Sequence, residues 1–422
     1  MLPLPGLAYV GTFIGISLLS ALAFLADRLL APDLPGFAST LVFPLAWVGL
    51  ETASSRVNPY GTWGCLAYTQ AGDLPLTQLA SVSGISGIAF LIGWFASVVN
   101  WAWDQDFAWA AVGPGVLAYS AVLGAVYLAG GARLARSGKS GRTTRVAGIG
   151  WPAAVVEQRE LLRLYALPLT DVERTSLRDG FRRVHRRLLE ATTREARAGA
   201  TIVVWPEASG LVFAEDEAEF LVRSQDVARE EGVYLLMGMA TIRLDEARPV
   251  ENKAVLIDPS GESRWSYVKV TATGAEARVN VRGTAPIPGG DTPYGRLASP
   301  ICFDMDFPWI VRETGRARVD LLLVPASDWR EIGRIHLAMA VFRAVENGAA
   351  MVRTTRWGHS AATDPYGRVL SFMDDFTARD GAMVAHVPVA AGVGTMYARF
   401  GDWLGWLCVA GLGLLVVLHG VR

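Results

Sequence analysis

A glutamate, a lysine and a cysteine stand in that order along the chain, each where an apolar run gives out. Thr201, Ile202, Val203, Val204 and Trp205 form a β-branched run that stops at Pro206 and Glu207. Trp265, Ser266, Tyr267, Val268, Lys269 and Val270 read as a second strand carrying one lysine. Ser299, Pro300, Ile301, Cys302, Phe303 and Asp304 hold the only cysteine of the water-soluble part. A thiol attacks as its thiolate, so Cys302 needs a base, and Glu207 is the carboxylate placed to serve. Lys269 suits the remaining task, holding the oxyanion of a tetrahedral intermediate and keeping Glu207 ionised between turnovers. A backbone N–H just after Cys302 would complete the oxyanion site. Such a trio performs covalent catalysis through a cysteine adduct. Each member alone has a plainer reading: a buried small hydrophobe for Cys302, a surface or N-cap carboxylate for Glu207, and a solvated strand-end charge for Lys269.

The elements that must position these residues belong to only part of the chain. Of 422 residues, 51% are hydrophobic and 19% charged, against about a quarter charged in an ordinary soluble protein. The charges concentrate between about residues 132 and 390, which implies a membrane domain followed by one soluble domain. A bilayer span needs about 20 predominantly apolar residues. Segments 6–27, 38–54, 76–101, 108–130 and 401–420 qualify, the second only with its flanks. Segment 6–27 reads as a span and not a signal peptide, since no Arg or Lys precedes it and its apolar stretch is too long. The expected organisation is a membrane domain over 1–131, a linker over 132–143, a catalytic domain over 144–392 and a C-terminal span over 393–422. A Trp-rich acidic turn around Asp104 and Asp106 suits a membrane–water interface.

A net charge of −1 excludes a polybasic nucleic-acid binder. Three cysteines make no disulfide framework; Cys65 falls at a span edge and Cys408 in the last apolar segment. His185, His336, His359, His386 and His419 are scattered, so neither a metal nor a cofactor is expected.

Within the soluble part, short apolar runs alternate with amphipathic ones. Strands are predicted at 145–149, 203–205, 233–239, 254–258, 266–270, 295–301, 319–324, 350–354, 360–363 and 383–387. Helices are predicted at 177–200, 215–231, 307–314 and 335–347. This alternation describes an α/β or α+β layered domain.

These residues resemble the carbon–nitrogen hydrolase (nitrilase) superfamily and, within it, the membrane-bound apolipoprotein N-acyltransferases. The soluble matches are Val203 to Glu207, Tyr267 to Lys269, Ile301 to Asp304 and Ser327 to Trp329. They continue through His336, Met339, Arg343 and Glu346, then Arg353, Gly358, Ser360, Asp364 and Gly367. Ala46, Trp47 and Glu51, Gly64, Tyr68 and Gln70, and Pro75, Leu79, Gly84 and Gly87 follow the family's pattern through two adjacent spans. The resemblance implies membrane helices plus a four-layer αββα, nitrilase-like domain. It implies a bacterial inner (cytoplasmic) membrane protein, multi-pass, with its catalytic domain on the extracytoplasmic side. The implied reaction moves a fatty acyl chain from a phospholipid, through a Cys302 thioester, to the N-terminal amine of a lipoprotein or lipopeptide. The implied catalytic residues are Glu207, Lys269 and Cys302.

The chain departs from that pattern in several places. The first three of the family's spans are missing. Cys-Tyr-Glu becomes Cys302, Phe303, Asp304, and the loop Ala272 to Glu276 is one residue short. The arm at 277–288 is also shorter than usual. Glu276 is the candidate to orient Lys269. Asp304 is either a stand-in for the family's glutamate or a charge at the N-terminus of the 307–314 helix. Phe303 packs or touches an acyl chain, and Trp329 lines the site or belongs to the core. Arg343 and Glu346 are expected to form a structural i,i+3 pair, and Glu51 to be a helix-packing or headgroup-level residue. The basic linker and the acidic turn favour the opposite membrane orientation on charge bias alone. Two further readings remain open: a membrane-tethered amidase or hydrolase using the same three residues, and an idle paralogue acting as a scaffold.

Overall fold

The structure is a computed structural model that describes residues 6–137, 142–151, 169–274, 276–378, 381–389 and 392–421. Residues 138–141 of the expected linker lie outside them. The chain forms two compact units, one of Met1–Gly138 with Thr395–Arg422 and one of Lys139–Gly394.

In the first unit, helices α1 (Gly6–Leu30), α2 (Val42–Ser55), α3 (Ile85–Asp104) and α4 (Trp109–Arg136) are joined by the C-terminal helix Trp403–Val421. Among the described residues, five helical stretches are long and apolar enough to cross a membrane. Phe13, Ile14, Ile16 and Leu18 on α1 are exposed, which suits hydrocarbon as the solvent. The span expected over 76–101 begins later, at Ile85. Residues Leu74–Thr77 and Ala80–Ser83 instead make two short helical turns that end at Gly84, where φ is +66°. Asp73 caps the first turn by accepting from the Leu76 N–H (3.2 Å), and Gln78 Nε2 donates to the Leu74 carbonyl (2.9 Å). The Asp73 cap satisfies an N–H that a helix start leaves without a partner. Glu51 accepts from Trp47 Nε1 (2.9 Å), Cys65 Sγ (3.3 Å) and the Leu66 N–H (3.3 Å), and so ties α2 to the loop beyond it.

The second unit is built on two sheets. Strands β1 (Thr143–Ile149), β2 (Ile202–Val204), β3 (Gly210–Phe213), β4 (Tyr234–Ile242), β5 (Val250–Ile257) and β6 (Ser263–Val268) belong to the first. Strands β7 (Gly289–Thr292), β8 (Gly295–Ala298), β9 (Leu321–Ser327), β10 (Ala350–Arg356), β11 (His359–Thr363) and β12 (Val369–Asp374) form the second. Strand β13 (Ala382–Pro388) returns to pair with β1. The orders are β13-β1-β2-β4-β5-β6, with β3 beside β4, and β12-β11-β10-β9-β8-β7.

The pleat sorts the residues into layers. Val146, Ile202, Val204, Leu236 and Leu256 from one sheet meet Leu297, Leu321, Leu323 and Val352 from the other. On the outer face of the first sheet, Val203, Leu235 and Val255 pack on Phe181, Val184, Leu188 and Phe220. These last belong to helices α5 (Asp171–Arg197) and α6 (Glu217–Glu231). On the outer face of the second, Leu322, Val324 and Met351 pack with Val311, Ala340 and Ala344, from α7 (Pro308–Arg316) and α8 (Gly333–Asn347). The result is the four-layer αββα arrangement. Helix α5 opens six residues earlier than its apolar spacing indicates, because Thr170 and Glu173 form a capping box. Strand β7 escapes prediction because Gly289, Gly290, Asp291 and Thr292 have little β propensity; it forms as an edge partner of β8.

Candidate active site

Strand β2 is fully buried and paired in parallel on both sides. Pro206 ends it, and the Glu207 N–H donates across to the Ala326 carbonyl of β9 (3.2 Å). Glu207 is 1% exposed. Its Oε1 accepts from Lys269 Nζ and from Asn252 Nδ2, both at 2.7 Å. Its Oε2 is buried and has no hydrogen-bond partner. One oxygen is therefore engaged, and the other is left to take a proton.

Lys269 follows β6 directly, and its N–H continues the ladder to the Asn252 carbonyl (2.9 Å). Its ammonium touches Glu207 and also Glu276 (3.2 Å to Oε2). Glu276 is anchored in turn by the Thr273 N–H (3.0 Å) and hydroxyl (3.1 Å). Burial works against the ammonium, but Glu207 and Glu276 outweigh it and hold Lys269 well above its usual range. Burial likewise opposes the Glu276 carboxylate, yet Lys269 and the Thr273 donors bring it below the ordinary value.

Cys302 sits at φ +47°, on a short 3₁₀ turn, Cys302–Asp306, past the end of β8. A non-glycine residue rarely holds that conformation, and such strain gathers at functional sites. The thiol is 4% exposed and faces the Ser327 carbonyl at 3.5 Å. Burial, and then the negative charge of Glu207, push it well above its usual range against the pull of Lys269. The resting thiol is thus neutral, and for the sulfur to attack, its proton would have to leave as attack begins.

Asp304 is fully buried and is not a helix N-terminal charge. Its Oδ2 accepts from Tyr267 Oη (2.9 Å) and the Ile301 N–H (3.1 Å), its Oδ1 from the Thr271 hydroxyl (2.7 Å) and N–H (3.1 Å). It therefore locks the lysine-bearing strand to the cysteine turn. Asp304→Ala leaves these donors buried without an acceptor, at about 1–3 kcal/mol for such a lost partner. A clear fall in the melting temperature of the detergent-solubilised protein, with slower turnover, is the expected result. Phe303 packs edge-on against Phe307 with ring centres 5.2 Å apart. Trp329 is half-buried, and its indole N–H is buried without a partner. Arg343 and Glu346 pair at 2.9 Å, both fully buried.

A second set of charges lies close to Cys302, and sequence reasoning assigned it no role. His336 Nδ1 meets Asp328 Oδ1 at 2.6 Å, and Nε2 meets Asp306 Oδ1 at 3.2 Å. Arg353 Nη2 donates to both oxygens of Asp328, at 2.8 and 3.0 Å. His336 so bridges the cysteine turn, through Asp306, to the end of β9. The signal available in sequence was polarity out of place: His336 and Arg353 fall at buried positions of an apolar helix and strand, where a charge must be paired. Cys302, Asp328 and His336 bring ligand-type atoms within 4.8 Å of one another. The Arg353 and His336 donors already neutralise Asp328, so the trio offers little to a cation.

Burial disfavours the imidazolium, but Asp306 and Asp328 prevail and raise His336 to about 9. Arg353 and His336 hold Asp328 down at about 2 despite its burial. The raised histidine value stabilises the fold fully below its unfolded value of about 6.5, and that contribution disappears as pH climbs through about 9. A shift of that size is worth about 3 kcal/mol. The gap in melting temperature between wild type and His336→Gln should be widest near pH 6 and narrow steadily toward pH 9. A gap that does not change with pH would show the ring to be neutral.

A thiol, a carboxylate and a lysine converging between two sheets of an αββα sandwich define a carbon–nitrogen hydrolase-type catalytic domain. Residues 180–391 match the carbon-nitrogen hydrolase family, and residues 1–98 match the apolipoprotein N-acyltransferase N-terminal domain. The chain belongs to the apolipoprotein N-acyltransferase family, a membrane-bound branch of the carbon–nitrogen hydrolases. It is 27% identical to an apolipoprotein N-acyltransferase of Geobacter metallireducens, over 91% of this chain and 74% of that one. It is 26% identical to one of Azotobacter vinelandii, over 99% of this chain and 80% of that one. Among solved structures, an amidase from Nesterenkonia sp. aligns with 59% of this chain and 91% of its own, at a TM-score of 0.48 and 23% identity. Apolar helices and this kinship make it a membrane protein.

Proposed function

We propose that this enzyme is a membrane-bound acyltransferase that N-acylates lipoproteins, drawing the acyl chain from a phospholipid through a thioester on Cys302. Glu207 Oε2 takes the thiol proton as sulfur attacks the ester carbonyl. Lys269 and a backbone N–H beside Cys302 steady the oxyanion. The intermediate collapses, the C–O bond breaks, and the departing alkoxide takes the proton from Glu207, so that lysophospholipid leaves as the alcohol and Glu207 is again a carboxylate. The lipoprotein's N-terminal amine then attacks the thioester, and Glu207 accepts the amine's proton. The C–S bond breaks, and that proton returns to the departing thiolate. One carboxylate serves both half-reactions.

The observation that carries this reading is the partnerless, buried Oε2 of Glu207, beside an Oε1 engaged by Lys269 and Asn252. The five membrane-type helices support a donor that never leaves the bilayer. Family kinship supports an N-terminal amine as acceptor, and a bacterial inner membrane with the catalytic unit on its extracytoplasmic side. Intact-protein mass spectrometry of the enzyme mixed with phospholipid tests the reading. A fatty-acyl mass increment discharged by a diacylated lipopeptide with a free N-terminal cysteine is expected. An increment discharged by water alone would make the protein a hydrolase. No increment with any phospholipid would end the lipid reading.

A further inference from the structure

Arg356 closes strand β10 and Trp357 follows it, and the proposed reaction uses neither. Trp357 holds φ +57° and Ala208, just after Glu207, holds φ +48°, so two non-glycine residues besides Cys302 stand in the left-handed region near the site. Arg356 connects the two turns. Its Nη1 donates to the Ala208 carbonyl (3.1 Å) and its Nε to Ser327 Oγ (2.9 Å). Ala208 shares a turn with the proposed base, and the Ser327 carbonyl is the group the Cys302 thiol faces. A planar guanidinium has the fixed fork that such a two-ended bridge requires.

The guanidinium is itself held. Its Cζ lies 4.6 Å from the Trp357 ring centre and 5.5 Å from that of Trp151, a cation–π arrangement on two rings. The rings meet edge-on at 6.2 Å. Asp375 fixes both tryptophans from below, accepting from the Trp357 N–H (2.7 Å) and the Trp151 N–H (3.3 Å). Surroundings this determined are what allow a strained tryptophan to persist.

We propose that Arg356, gripped by Trp151 and Trp357, is a positioning residue that fixes the Glu207–Ala208 turn against Ser327 and so sets how the base meets the Cys302 thiol. This rests on Glu207 as base and Cys302 as nucleophile. A lysine at this position keeps the charge but loses the fork.

The test is the single-turnover rate of Cys302 acylation by phospholipid, read by intact mass on the full chain in detergent micelles. Arg356→Ala should slow acylation about 10²-fold, the penalty for a misplaced reacting group. The phospholipid concentration at half-maximal rate should change less than about threefold. Millimolar guanidinium should restore part of the Arg356→Ala rate, while Arg356→Lys stays slow. A wild-type rate in both variants overturns the proposal. So does a loss confined to the half-saturating concentration, or one that guanidinium leaves untouched while the melting temperature falls. Should Arg356→Ala fail to fold, Arg356→Lys, close to it in length and charge, carries the same comparison. Wild type that forms no acyl-enzyme defeats the underlying assignment of base and nucleophile; wild type that acylates alongside a full-rate Arg356→Lys defeats only the positioning role.

Discussion

Cys302→Ala forms no acyl-enzyme, and Glu207→Gln forms it about 10³-fold more slowly, within the range for a lost general base. The glutamine keeps the volume of the side chain and an oxygen that can accept from Lys269, so the pocket retains its shape. It lacks an atom able to take the thiol proton. Because burial and Glu207 together hold the thiol above its ordinary range, little thiolate exists at neutral pH to compensate. The two variants separate nucleophile from base: raising the pH should recover part of the Glu207→Gln rate by ionising the thiol directly, and nothing of Cys302→Ala. A Glu207→Gln enzyme that acylated at the wild-type rate near pH 7 would remove Glu207 from the mechanism. The measurement is the time course of the acyl mass increment after mixing with phospholipid.

Glu207, Lys269 and Cys302, the proposed catalytic residues, could be picked out in sequence because each follows a strand, and strand ends in layered sheets converge on one edge. The layers were legible for a related reason: β9 alternates Leu321 and Leu323 with Leu322 and Val324, so that every residue has an apolar layer to enter. Asn252 was not legible. It is one polar residue inside a strand, and only the pairing of β5 with β4, which itself lies beside β2, brings it to Glu207. The same holds for the partners of Asp304, whose side-chain donors Tyr267 and Thr271 lie more than thirty residues earlier, and for the His336–Asp328–Arg353 knot. Local periodicity says which side of an element is buried, but the partner of a buried charge is chosen by which elements the fold stacks together. The late start of α3 is a failure of another kind. Apolar content runs on through Leu74–Ser83, while Gly84 at positive φ separates those short turns from the helix that starts at Ile85.

Lys269→Met should remove activity and stability together, and a second substitution should pull them apart. The ammonium is 2% exposed and sits between two carboxylates, Glu207 at 2.7 Å and Glu276 at 3.2 Å. Methionine fills much of the space but leaves two negative charges facing each other, and breaking a buried pair in this way costs about 3–5 kcal/mol. Transfer should fall about 10³-fold at the same time, since the oxyanion loses its cation. Adding Glu276→Gln to Lys269→Met cancels one of the stranded charges. Glu276 is the better choice because its side chain is 23% exposed, whereas that of Glu207 is 2% exposed and is the proposed base. The double variant should regain most of the lost melting temperature and none of the lost rate, because neutralising Glu276 puts no positive charge where the oxyanion forms. Recovery of both together would mean that Lys269 only balances the charge of its neighbours, and the oxyanion would then depend on backbone N–H groups alone.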